Sequence, residues 1–411
     1  MITQPAILEA AASPLIPTFV GRDPIFDVNL DVRAYRLQFS EDPSVERASD
    51  GEAAAARAFW NAFVELGIEN VAGDRRVHVP ASRAFLKAEC IRLYPTGHLA
   101  LDIRPDVAAD DAVRPILEEL AATPLTLVLD GFDGALPADP DIFDTVRIPL
   151  SGEEASGFAR ALGEAGDAGL ATIAADIATF ADFEACREAG FDAFQGRFLC
   201  KPQTVVGGRL PSDSVTRMRL LAAINDPKSS VDGLEEVISQ DVGLAYKLLH
   251  FVNSAMFALR SEVQSIRHAI MMLGEGWIRT WANMVVLTGI ADKPVAAFHT
   301  ALVRGKMCEL LGRAFDDEDA ATWFSTGLLS ALDFLLDRPM GEILDELPLA
   351  PDIDAALRAH QGKLGEALDC TLSYECADWS QVTFGDLPDT VIRASYVNAL
   401  KWATGVRGAL T

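Results

Sequence analysis

In the first half of the chain, short apolar runs alternate with segments whose apolar residues recur every three to four positions. The runs Val32–Phe39, Arg76–Pro80, Leu99–Arg104, Leu125–Phe132, Thr145–Leu150, Ala171–Ile177 and Asp192–Leu199 predict strands. Helical spacing is readable near Glu52–Leu66, Asp110–Ala122, Glu153–Asp167 and Phe180–Ala189, with a shorter candidate at Ser82–Glu89. This alternation predicts βαβ units and a mainly parallel sheet. Seven strands are more than most doubly wound sheets use, which favours a closed β/α barrel.

The pattern then changes. Pro202–Pro211, with Gly207-Gly208 at its centre, reads as a linker, and beyond it the strand signal nearly vanishes. Ser214–Ile224 is helical. Asp232, three residues before Glu235, resembles the start of a capping box. Asp241 is placed to cap Val242–Val252, Ser265 to cap Ile266–Leu273, and Gly274 to stop that helix. A helix over Trp277–Ile290 follows, and the remainder is helical in pattern, broken at Pro339, Pro348, Pro351 and Pro388.

Composition narrows the function classes. The 411 residues are 50% hydrophobic, enough for two or three cored domains, and carry a formal net charge of −25. Both halves are net acidic, which argues against a surface that tracks nucleic-acid phosphates. Met1 is not followed by a basic and then apolar leader. The uncharged runs Thr280–Ala291 and Ala320–Leu332 fall short of the roughly 20 residues that span a bilayer. The expectation is a soluble cytoplasmic chain with no membrane span. Its six cysteines form no CxxC, so reduced, packed thiols are expected.

In β/α barrels chemistry sits where strands end and βα loops begin. Asp102 and Asp130 lie at or near such ends. Two carboxylates there could hold a divalent ion, with most of its ligands left to water. Helix capping or a loop role is the alternative.

Residues from about Phe19 to Pro202 resemble an EAL domain, the barrel phosphodiesterase of cyclic di-GMP. Phe194-Gln195-Gly196-Arg197-Phe198-Leu199-Cys200-Lys201-Pro202 is similar to its closing Q-G-[YF]-L-F-x-K-P signature. Arg22–Asp27 resembles R-Q-P-I-[FY]-D, Ala34–Phe39 resembles G-Y-E-L-L-F, and Asp130–Gly134 resembles D-D-F-G-T-G. Asp144–Ile148 resembles D-x-[LIV]-K-[IL]. The order and spacing of these matches carry the resemblance.

The resemblance also implies a catalytic set, and most of it is missing. In active members acidic residues and an asparagine hold two metal ions that activate a water, and a lysine assists proton transfer. Here the EAL glutamate position is Arg36 and the asparagine position is His78. Asp102 stands for a glutamate, Asp130 keeps the first aspartate of D-D-F-G, and Gly131 replaces the second. The lysine is Arg147, which does not deprotonate. The later glutamates are Ala175 and Ala178, and the phosphate-binding arginine after the EAL motif is Ser40. Gln195 retains the family residue. The expectation is a vestigial pocket of Arg36, His78, Asp102, Asp130, Arg147, Ala175 and Gln195, with no catalytic residue, no metal and no cofactor. Arg36 and Arg147 are expected either to pair with Asp102 and Asp130 or to meet a nucleotide phosphate.

The second half resembles an HDOD domain, a helical relative of the HD phosphohydrolases. Leu234–Asp241, Lys247–Ala255, Ser265–Gly274 and the Trp277/Trp281 helix carry this resemblance, and Gly327–Asp333 with Ser373–Trp379 resembles the characteristic tail of EAL–HDOD proteins. The chain has no His-Asp dipeptide, Ser330-Ala331 stands where one would follow Gly-Leu-Leu, and the six histidines are scattered. Asn253 and Ser254 are the candidate polar site, with bonding to local backbone as the alternative. Met271-Met272, Met284, Trp277 and Trp281 are expected in the core.

The expected architecture is therefore α/β plus all-α. It comprises an N-terminal tail at 1–18, a degenerate EAL-like barrel at 19–203, a linker at 204–212 and a helical domain at 213–411, whose HDOD core spans about 213–295. The expected function is non-catalytic bacterial signal transduction through partner proteins of unknown identity. Cyclic di-GMP binding without hydrolysis is the alternative, and residual hydrolysis ranks below it. No nucleic-acid partner is expected, and the resemblance leaves a homodimer open.

Overall fold

The computed structural model describes residues 20–39, 72–73, 75–87, 96–134, 136–137, 140–150, 156–200, 212–253, 263–288, 293–315, 317 and 319–410. The helical pattern at 52–66, together with Ser40 and Ser254, lies outside them. The chain divides into two compact units, Met1–Leu199 and Cys200–Thr411.

The first unit is the expected barrel, closed by eight strands in chain order: β1 (Val20–Phe26), β2 (Val32–Phe39), β3 (Arg76–Pro80), β4 (Leu99–Ile103), β5 (Thr126–Asp130), β6 (Thr145–Pro149), β7 (Ala171–Ile177) and β8 (Ala193–Gly196). The strands from β2 to β8 run parallel, whereas β1 is antiparallel to both neighbours and closes the ring. Helices α1 (Arg114–Ala121), α2 (Ser156–Asp167) and α3 (Phe180–Ala189) lie between strands. Thr179 and Asp182 form a reciprocal capping box that starts α3, and left-handed Gly190 ends it.

The strand period of two divides each strand between two faces. Ile25, Ala34, Ile173 and Ala193, from four strands around the ring, pack in one buried cluster. Arg36, Ala175 and Gln195 are two residues further along β2, β7 and β8 and so share that face. On the other face, Leu99, Leu101 and Ile103 of β4 are fully buried.

Gly196 is needed for the closure. A Cβ there would overlap the backbone nitrogen and carbonyl oxygen of Ile177, where the β7–β8 register shifts. Gly196→Ala is expected to destabilise the barrel by about 2–3 kcal/mol, read as a lower denaturant midpoint. An unchanged midpoint would mean that the strands separate there at no cost.

The second unit is built of helices and contains no strand among its described residues. It contains α4 (Ser212–Asn225), α5 (Val231–Gln240), α6 (Val242–Val252), α7 (Ile266–Leu273), α8 (Glu275–Thr288), α9 (Val295–Ala314), α10 (Ala320–Leu329), α11 (Leu332–Leu336), α12 (Met340–Glu346), α13 (Pro351–Ala359), α14 (Gly362–Glu375) and α15 (Asp389–Leu410). Asp241 accepts from the Leu244 amide at 2.9 Å, and Ser265 caps α7. The cap of α5 is Ser230 rather than Asp232: the Ser230 hydroxyl accepts from the Gly233 amide, and Asp232, already inside the first turn, pairs with Arg267 of α7 at 2.5 Å. Arg279 of α8 donates to the carbonyl of Ile224 at the end of α4 and to those of Asp226 and Ser229 in the turn that follows.

The expected burial of the methionine pair is corrected. Met271 and Met272 are 78% and 44% exposed, because Ile266, Ala269 and Ile270 take the buried face of α7. Met284 and Trp281 are buried, and Trp277 stacks on Trp281 with ring centroids 6.2 Å apart. No helix among the described residues is long and apolar enough to cross a membrane.

Candidate functional site

The barrel brings four charged side chains together from β2, β4, β5 and β6. Arg36 of β2 donates from Nε to Asp102 Oδ2 at 3.1 Å and from Nη2 to Asp130 Oδ2 at 2.7 Å. Arg147 of β6 donates from Nη1 to Asp102 Oδ2 and, at 3.2 Å, to Asp130 Oδ1. Each guanidinium thus bridges both carboxylates, and each carboxylate is held by both guanidiniums. The formal charges of the four groups cancel. Asp102 and Arg147 are each 1% exposed, and the Arg36 side chain is about a quarter exposed.

His78 of β3 completes the cluster. Its Nδ1 lies 3.0 Å from Asp102 Oδ1 and 3.1 Å from Arg147 Nη2. One nitrogen cannot donate to the first and accept from the second at once, so the tautomer satisfies one contact at a time. Burial pushes the imidazole pKa below its ordinary value, against the pull of Asp102, and keeps the ring neutral near pH 7. Burial alone would raise the Asp102 pKa. The Arg147 charge and the His78 hydrogen bond outweigh it and hold the carboxyl well below the usual range. The two carboxylates in turn raise the Arg147 pKa despite its burial.

Of the remaining candidates, Ala175 is buried and brings no polar group. Gln195 hydrogen-bonds Asp23 of β1, while its own Oε1 is buried without a partner. Asp23 was not singled out from the sequence. It pairs in register with Arg36 across β1–β2, and burial pushes its pKa up. Asp176, with φ 61°, adds a second carboxylate to its surroundings.

These residues do not fit a pair of divalent ions. Two-metal hydrolysis needs carboxylate oxygens free to fix both ions roughly 3.5–4 Å apart. Here Asp102 Oδ2 takes two guanidinium donors, its Oδ1 faces His78, and both oxygens of Asp130 face arginines. Among the described residues no group of three or more His, Cys, Asp or Glu side chains is arranged to hold a metal.

In the helical unit, Asn253 accepts from the Val263 amide at 2.7 Å and donates to the Val263 carbonyl at 2.9 Å, clamping local backbone. Ser330 accepts through its carbonyl from Arg304 Nη1 at 3.2 Å. Arg304 is buried in α9 and forms a bidentate pair with Glu375 of α14, both bonds 2.7 Å. Arg304, preceded in α9 by the apolar stretch Ala301-Leu302-Val303, is the sequence signal that could have located this pair. His250 is exposed and stacks on Tyr246, and His268 is exposed.

Residues 210–336 match the HDOD domain family. The chain is 27% identical over 407 residues to the uncharacterized protein YuxH of Bacillus subtilis, covering 95% of this chain and 99% of that one. It is also 27% identical over 404 residues to the cyclic di-GMP phosphodiesterase CdgJ of Vibrio cholerae, covering 95% and 93%. The solved FimX EAL domain of Pseudomonas aeruginosa, bound to c-di-GMP, aligns at 15% identity and TM-score 0.37 over 48% of this chain and 95% of that one. The chain thus joins a closed eight-stranded β/α barrel to a helical unit that contains the HDOD match.

Proposed function

We propose that the barrel of this protein does not hydrolyse cyclic di-GMP and that the chain acts in bacterial signalling through protein partners. One observation carries the reading: Arg36 and Arg147 each bridge Asp102 and Asp130. Hydrolysis by metal-activated water needs those oxygens, and Arg147 cannot act as a base. The neutral His78 has no nucleophile to activate within the cluster. The kinship to CdgJ points to the cyclic di-GMP phosphodiesterase group, and the departure lies in these side chains. Purified full-length protein incubated with cyclic di-GMP and manganese is expected to leave the nucleotide intact by chromatography. Appearance of the linear product would refute the reading.

A second reading, a receptor that binds the nucleotide without cleaving it, draws on the unpartnered Oε1 of Gln195. A base edge with N–H donors would satisfy that oxygen. Against it, a phosphate would have to compete with two carboxylates for either guanidinium. Calorimetry with cyclic di-GMP at protein concentrations of tens of micromolar decides between them. The primary reading predicts no heat of binding, and a saturable heat would favour the receptor.

A further inference from the structure

We propose that Arg36 and Arg147 are the resident cations of the barrel, doing for Asp102 and Asp130 the bridging that a divalent ion would otherwise do, so that the barrel assembles without metal. The geometry is that of two cations shared by two carboxylates. Asp102 Oδ2 receives Arg36 Nε and Arg147 Nη1, and Asp130 receives Arg36 Nη2 on one oxygen and Arg147 Nη1 on the other. The contacts tie β2, β4, β5 and β6, joining positions up to 94 residues apart. The two carboxylates lie at or next to the C-terminal ends of β4 and β5, and the arginines reach them from within β2 and β6. A fully buried and a partly buried carboxylate converging without a cation would repel and lack solvation, so positive charge is favoured there.

The inference has a consequence that a passive filler role would not have. Removing one guanidinium leaves two carboxylates that converge on the one remaining guanidinium, and a small dication can take the place of the lost charge. Arg147→Met keeps much of the side-chain volume while deleting the charge. In EDTA its melting midpoint is expected to fall by about 10 °C relative to the wild-type chain. Manganese should then recover a large part of that loss, and adding Asp102→Asn to the variant should remove the recovery. The wild-type midpoint should be the same in manganese and in EDTA. If Arg147→Met does not melt cooperatively, Arg36→Met carries the same comparison, because that side chain is partly exposed and its loss costs less.

A variant that melts identically in manganese and EDTA overturns the proposal, as does a wild-type midpoint raised by manganese. The inference rests on the non-catalytic reading only in that both require carboxylates occupied by arginine. The two fail differently. A variant blind to manganese removes this inference and leaves that reading intact. Metal-independent cleavage of cyclic di-GMP by the wild-type chain would remove that reading and leave this inference standing.

Discussion

A chain ended after Leu336 is expected to lose the cooperative unfolding transition of its helical unit, although the match to the HDOD family also stops there. The segment beyond that residue completes the core. Glu375 is the carboxylate partner of buried Arg304, and leaving that guanidinium unpaired costs about 3–5 kcal/mol. Trp402 of α15 lies 6.1 Å from Trp281 and 5.4 Å from Phe324 between ring centroids, and the Lys306 ammonium sits over its face. Tyr374 stacks on Tyr396 at 4.1 Å, and Ala399, Leu400, Ala403 and Val406 are buried along α15. Each large apolar side chain lost from such a core costs another 3–5 kcal/mol or so. The sum exceeds the 5–15 kcal/mol typical of domain stability. Calorimetry of the shortened and full chains is the check, and a retained second transition within a few degrees of the original would contradict the expectation. Glu375→Gln isolates the ion pair and should lower stability by about 3 kcal/mol in a denaturant titration.

Asp102→Asn is expected to be the most damaging single substitution in the barrel, at about 3–5 kcal/mol. It leaves two guanidiniums with one carboxylate, and one of them, Arg147, is almost fully buried. Its pH dependence separates this mechanism from a packing defect. The Asp102 carboxyl titrates lower in the folded chain than the value near 3.9 of an unfolded aspartate. Its stabilisation is therefore complete above about pH 4 and is lost as the pH falls toward the folded value. The wild-type barrel should lose stability over that acid window more steeply than the variant, which has no proton to take up at position 102. Parallel pH profiles would show that the charge of Asp102 is not what stabilises the barrel.

The sequence carried the alternation of the barrel well, because strands buried on both faces read as apolar runs and helices lie between them. It carried β1 poorly. Arg22, Asp23 and Pro24 interrupt any apolar pattern there, and only the likeness of Arg22–Asp27 to a family motif marked the strand. With β1 unread by periodicity, the contact of Asp23 with Gln195 was out of reach, since it depends on the antiparallel closure of β1 on β8. The site positions on β2 to β8 were legible from motif spacing, and their common face follows from the period of two.

The partners of those residues were a different matter. The pairing of Arg36 and Arg147 with Asp102 and Asp130 was one expectation, with a nucleotide phosphate as the other. Which is realised depends on how closely β2 comes to β5 once the ring closes. Local chemistry also overrode two expectations in the helical unit. Ser230 starts α5 two residues before Asp232 and caps it through the Gly233 amide, and the methionine pair of α7 lost the buried face to Ile266, Ala269 and Ile270.

The central claim is that positive charge between Asp102 and Asp130 comes from the chain itself. The most direct measurement is an anomalous difference map from crystals of the full-length protein grown in excess manganese. The predicted map has the guanidinium nitrogens of Arg36 and Arg147 between the carboxylates and no anomalous peak among them. A manganese peak coordinated by Asp102 and Asp130, with either arginine displaced, would contradict the account.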